Sequence, residues 1–230
     1  MKRSIPQQRT IIWLTGISLL IFVLFIPVNL KGAQDVEMLR AFEIDEYALY
    51  PHVIHMLTPG ESLYQTLRHF FVYQHYFYGF PFYFFSALVL LPLRLILGAG
   101  WEAYTPVIVM ILRQMINVLP MLAAIWILVW LQTRFKSTLK SIALFLFLAA
   151  IPGVVENNLW WHIDSLALLV IALVFLFLDQ DQLRFGRYFY IAALICGVGV
   201  GIKYMGLFFC LAIPAYLLYG WICKKITLSK

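Results

Sequence analysis

The sequence predicts an all-α, polytopic membrane protein with about six transmembrane helices and interfacial helices in a large first outer loop. Three observations carry this. Hydrophobic residues make up 63% of the 230-residue chain and charged residues only 12%, whereas a soluble domain needs roughly a quarter charged to cover its surface. Apolar runs long enough for the bilayer recur along the chain. Short basic clusters between those runs sort to one side if residues 70 to 98 do not cross.

Taken in order, the chain opens with the basic residues Lys2, Arg3 and Arg9 around the start of "IIWLTGISLLIFVLFIPVNL", an apolar run sufficient for the roughly 30 Å hydrocarbon core. No A-x-A-like site follows, so it reads as an uncleaved first span. Residues 32 to 104 form the expected outer loop. Within it, "IDEYALYPHVIHML" carries Tyr47, Tyr50, Val53, Ile54 and Leu57 near helical spacing across Pro51. The "TPGE" stretch from Thr58 to Glu61 supplies a cap, a proline and a capping-box acid for a second helix. Two amphipathic helices on the outer leaflet are therefore expected. The run 70 to 98 is interrupted by Tyr, His, Gln, Gly and Pro and is assigned to the interface or to re-entry. A full span or a tight hairpin is the alternative; a single span would reverse the later loops.

Further crossings are expected at about 105 to 131, 139 to 155, 163 to 178, 188 to 202 and 205 to 223. Together with the first run they give six, with both termini inside. "TRFKSTLK", "LRFGR" and "CKKITLSK" then face the cytoplasm, and Asp35, Glu37, Glu43, Asp45, Glu46, Glu61, Glu102, Glu156 and Asp164 face outward. With no repeat or flexible linker, residues 1–230 read as a single membrane domain. The net charge of +6 is explained by these orientation signals, which excludes nucleic acid as a partner. Cys196, Cys210 and Cys223 are odd in number and lie in apolar stretches, a pattern of neither disulfide framework nor metal site.

This topology gathers Asp45, Glu46, His52, His55, Glu156, His162, Asp164 and Lys203 at span ends on one face. Ionisable groups at membrane depth are costly, so their convergence marks a candidate site. Each has a plainer reading. Asp45 and Asp164 both stand where an N-cap is wanted, although Glu46 beside Asp45 would raise the proton affinity of one carboxylate. Lys203 either snorkels to the headgroups or binds an anion. Arg113, deep in "MILRQMINVLP", needs a carboxylate, carbonyl or phosphate partner. Gly197 and Gly201 have the spacing of a close helix contact. His52 and His55 are three apart and could ligate a metal with Asp45, but interfacial histidines are the commoner case and no metal is assigned. The block "FVYQHYFYGFPFYFF" is first an interfacial anchor, and secondly a groove for a sugar or polyprenyl chain.

The set "IDEYALY", "YFYGFPFYFFSALVLLPLRLILGAG", "LRQMINVLPMLAAIWILVWLQTRF", "WWHIDSLALLV" and "GIKYMGLFF" resembles, in order and spacing over nearly the whole chain, the GT-C superfamily of membrane glycosyltransferases. The resemblance is particularly to the branch of protein O-mannosyltransferases and aminoarabinose transferases, whose N-terminal module the chain would represent; members usually continue with more helices and often an outer soluble domain. The resemblance implies a polyprenyl-phosphate sugar as donor and no certain cofactor. The acceptor would be a glycan, lipid or protein, and the site would lie on the non-cytoplasmic face of the plasma membrane. It implies Asp45, with Glu46, as the catalytic carboxylate pair and Asp164 as a second acid. Lys203, beside Tyr204, looks like a donor-phosphate contact, with Arg113 and His162 as further substrate contacts. Two other classes remain: a noncatalytic assembly subunit with membrane partners, and a small transporter, which would carry its polar groups in mid-span.

Overall fold

The computed structural model describes residues 5–203 and 211–223. Among them all regular structure is helical. Helix α1 spans Ile5–Lys31, followed by α2 (Val36–Phe42), α3 (Ile44–Leu57), α4 (Leu63–Phe71) and α5 (Phe80–Leu97). A 3-10 turn over Gly98–Ala103 leads into a long rod composed of α6 (Thr105–Leu112), a π-helical segment (Arg113–Val118) and α7 (Leu119–Thr133). The remainder is α8 (Thr138–Ala149), α9 (Pro152–Asn157), α10 (Asp164–Asp181), α11 (Arg187–Ile202) and α12 (Ala212–Ile222).

Three of these are long and apolar enough to cross a membrane: α1, α5 with its following turn, and the rod. This is consistent with a membrane protein. α8, at 12 residues, and α12, at 11, are shorter; α8 stops because Ile151 turns extended ahead of Pro152, as residues before proline do. Length alone therefore carries fewer than the six crossings expected from the apolar runs.

Polar contacts define two ends of the bundle. At one end Gln7 donates to the Arg134 carbonyl over 3.3 Å, Thr10 and Thr138 hydroxyls meet at 2.9 Å, and Arg134 pairs with Asp179 at 2.7 Å. At the other, Asn29 donates to the Asn158 carbonyl over 3.1 Å and Asn117 to the His162 carbonyl over 3.0 Å. Helices α1, α7, α8, α10 and α11 connect the two. From Asn117 to Arg134 the rod climbs about 25 Å at 1.5 Å per residue, comparable with a hydrocarbon core of roughly 30 Å.

Beyond the second end, which we call the site end, α3, α4, α5 and α6 build a further lobe. Phe82 stacks on Trp161 at 5.3 Å and the Trp161 indole donates to Ser86 over 3.1 Å, fixing the start of α5 at the site end. Arg113, at the end of α6, reaches the same place. The two helices are thus antiparallel arms joined by the 3-10 turn. Their shared core includes Val53, Tyr83, Leu90, Trp101 and Ile108, separate from the bundle core of Leu14, Met121, Ile125 and Phe145. From Phe80 onward, residues 70 to 98 form a continuous helix paired with the first part of the rod.

Local expectations change in four places. Asp45 is not an N-cap: Glu43 holds that position for α3, and Asp45 lies in the first turn, where a carboxylate still suits the helix dipole. Asp164 likewise follows the capping position, occupied by Ile163. The second loop helix starts at Ser62, not at Thr58. The Ser62 hydroxyl accepts from the Gln65 N–H over 3.2 Å while the Gln65 side chain accepts from the Glu61 N–H over 2.8 Å, a reciprocal box shifted along the chain. An additional helix, α2, is capped by Asp35, which accepts from the Met38 N–H over 2.7 Å.

Candidate functional site

The site is organised by the π-helical segment. Pro120 has no N–H to give the Ile116 carbonyl, and just before it the Leu119 N–H donates to the Gln114 carbonyl, five residues back. Such local widening of an α-helix is frequent at functional sites. Here it carries three buried polar residues, Arg113, Gln114 and Asn117, of which Arg113 and Asn117 each hold a different loop.

Arg113 grips Glu46 with two parallel hydrogen bonds, Nε to Oε1 at 2.8 Å and Nη2 to Oε2 at 2.5 Å. Glu46 Oε1 also accepts from the Trp161 backbone N–H. Both side chains are almost fully buried, at 3% and 1% exposure, so the fork and its third donor satisfy a charge pair that would be costly if broken. Arg113 thus has a carboxylate partner, and Glu46 is the strut that ties α3 to the loop before α10. Gly32 sits against this pair: a Cβ there would fall 2.4 Å from Arg113 Nη1.

Asn117 performs the same service for the next residue. Its amide donates to the His162 carbonyl over 3.0 Å and accepts from the His162 N–H over 3.2 Å, leaving the imidazole fixed in orientation. Trp160 stacks on that ring at 4.3 Å, nearly parallel. His162 Nε2 meets the Tyr78 hydroxyl at 2.9 Å, and Nδ1 stands 3.2 Å from Asp164 Oδ2 in an ion-pair approach rather than an aligned hydrogen bond. Burial raises the Tyr78 phenol above its usual range, reinforced by the charges of Asp45 and Asp164. Tyr78 consequently stays protonated, with its hydroxyl facing His162 Nε2.

Asp164 precedes the apolar segment of α10. The His162 contact, then Lys203, lowers its carboxyl to about 2. Lys203 Nζ lies 2.5 Å from Asp164 Oδ1. It is brought there by the end of α11, where the Gly79 N–H donates to the Ile202 carbonyl over 3.4 Å. A Cβ on Gly79 would fall 1.4 Å from the Gly201 oxygen, so only glycine permits this approach. Gly201 and Gly199 are the close-contact residues of α11, the latter against Val170; Gly197 faces open space. The expected Gly197–Gly201 pair is therefore replaced by Gly199 and Gly201.

The structure brings Glu46, Arg113, His162, Asp164 and Lys203 to one end of the bundle, joined by contacts between them and the loops that carry them. Asp45 is exposed beside Glu46 and has no hydrogen bond or ion pair among the described residues; its charge acts on Tyr78 together with that of Asp164. Tyr204 and Cys210 lie outside the described residues. The mutual repulsion expected at "IDE" falls on Glu43, whose proton affinity is raised by burial first and by Glu46 next. His52 pairs with His75 at 5.0 Å and His55 with His69 at 4.4 Å, and no cluster of three or more metal-ligating groups occurs among the described residues. Sequence reasoning missed Asn117, Tyr78 and Trp161. The first could have been found by asking why an amide stands in an apolar rod; the others are indistinguishable from anchor aromatics.

No family model, no curated protein and no solved structure matches this chain.

Proposed function

We propose that the chain is the N-terminal module of a GT-C-type membrane glycosyltransferase. It moves a sugar from a polyprenyl-phosphate donor to an acceptor hydroxyl at the site end of the bundle. In this reading the chain crosses the plasma membrane six times and the site end faces away from the cytoplasm. The loops at the opposite end carry Arg134, Lys136, Lys140, Arg184 and Arg187, the charge expected of cytoplasmic loops. The observation that carries the reading is the meeting of "IDEY" and "WWHID" through the Glu46 to Trp161 contact, with Lys203 alongside. It leaves an unpartnered carboxylate, Asp45, and a cation within one polar cluster.

Asp45 takes the proton of the acceptor hydroxyl as its oxygen attacks the anomeric carbon. The bond from that carbon to the phosphate oxygen breaks, and the lipid phosphate departs as an anion. Lys203 takes up the developing charge; Asp164 keeps it oriented between turnovers. One displacement inverts the anomeric centre. Glu46 and Arg113, occupied by each other, act as positioning residues, and His162 with Tyr78 sets the wall facing Asp164.

The test is turnover of polyprenyl-phosphate sugar by Asp45→Asn in membranes. Transfer is expected to be abolished with membrane abundance unchanged. Unaltered turnover at equal abundance overturns the assignment and favours the noncatalytic assembly subunit.

A further inference from the structure

Four of the five histidines lie in the lobe, and they meet in two pairs that tie neighbouring segments to α3. His55 faces His69 of α4 with ring centroids 4.4 Å apart, and His69 Nδ1 donates to the Thr58 carbonyl over 2.9 Å. His52 faces His75 at 5.0 Å, and His75 Nδ1 in turn lies 2.8 Å from the Tyr83 hydroxyl of α5. His75 belongs to the non-helical segment 72–79 between α4 and α5. The same segment carries Tyr78, whose hydroxyl meets His162 in the candidate site. Gln74, next to His75, has a φ of 66°, a left-handed conformation that a residue other than glycine keeps only where its surroundings enforce it. The His75 contacts therefore help to hold a strained segment in place.

Neutral rings can pair in this way, but two imidazolium charges at the same separations repel. Nothing nearby offsets them. Among the described residues only His162 has a carboxylate within ion-pair range. The titratable groups facing the four rings are the phenols of Tyr73, Tyr78 and Tyr83 and, in the cleft beside His55 and His69, Glu61 and Arg68, whose opposite charges cancel. On α2, which also packs on α3, Glu37 and Arg40 pair with each other at 3.5 Å. We infer that the two histidine pairs form an acid-released latch, docking α4 and residues 72–79 on α3 while neutral and letting both go when the paired rings are charged together. Burial first, and then the partner ring, lowers the proton affinity of His52 and of His55. Docking is accordingly favoured in full above the free imidazole value of about 6.5 and is lost as pH falls below it. Release takes Tyr78 away from His162. The inference stands on ring contacts in the lobe and does not rest on the proposed reaction.

The experiment is hydrogen–deuterium exchange of the full chain in micelles at about pH 7.5 and about pH 5, with rates corrected for the intrinsic pH dependence of amide exchange. Protection of α4 and of residues 72–79 is expected to fall roughly tenfold or more on acidification, while α10 keeps its own. His55→Phe, which retains a ring that cannot be charged, should preserve protection of α4 at the lower pH, and His52→Phe that of residues 72–79. Unchanged protection in the wild type, an equal fall across α10, or variants that lose protection as the wild type does would each overturn the inference. Should one variant fail to fold, the wild-type comparison and the other variant decide it.

Discussion

Glu46→Gln is the sharpest single perturbation. The substitution keeps the shape and one acceptor for the Trp161 N–H but removes the charge facing Arg113, which is 2% exposed. Breaking a buried pair from one side costs about 3–5 kcal/mol, because the remaining charge is left uncompensated. At about 1.4 kcal/mol per decade, the unfolding constant should rise by roughly two to three and a half orders of magnitude. Removing both charges, as Glu46→Leu with Arg113→Leu, leaves only the Trp161 N–H without its acceptor, a cost of about 1–3 kcal/mol. The double variant is therefore expected to be more stable than Glu46→Gln. Equilibrium unfolding in mixed micelles, followed by tryptophan fluorescence, measures all of these. A Glu46→Gln chain within about 1 kcal/mol of wild type would refute the buried strut, as would single losses that simply add in the double variant.

Two further outcomes follow from the same geometry. Gly79→Ala should separate α5 from the end of α11, since its new methyl meets the Gly201 carbonyl at 1.4 Å, whereas Gly201→Ala meets Pro81 at an ordinary 3.4 Å and should be tolerated; thermal unfolding of the two variants side by side tests this, and equal melting temperatures would contradict it. For Asp164, a carboxyl lowered in the folded chain favours folding above its unfolded value near 4 and loses that effect as pH falls towards 2. The melting-temperature gap between wild type and Asp164→Asn should accordingly be full above about pH 5 and close between about 4 and 2; a gap independent of pH would rule out the ion pair with Lys203.

Which parts were legible in the sequence follows from what each signal measures. Apolar runs and basic loops report the bundle, because they register burial and charge residue by residue, and they located the helix ends that carry Asp45, Asp164 and Lys203. They are blind to pairing. Arg113 was recognisable as needing a partner, yet Glu46 could be matched to it only once α3 was folded back on the rod. The same blindness hid the lobe: the interruptions at Tyr78, Gly79 and Pro81 look like a failed span, but they form the turn that lets α5 start against Gly201 and Ile202. Helix starts shifted for a simpler reason. "TPGE" and "ESLYQ" both carry capping chemistry, and only the tertiary position of α4 selects Ser62.

The claim on which the rest depends is that "IDEY" and "WWHID" occupy one end of the bundle and "TRFKSTLK" the other. Single cysteines at Asp45, Asp164 and Lys140, in a chain otherwise free of cysteine, can be labelled in intact vesicles with a membrane-impermeant maleimide. Positions 45 and 164 are expected to react from the same side and position 140 from the opposite one. Labelling of 45 and 164 from different sides would contradict it.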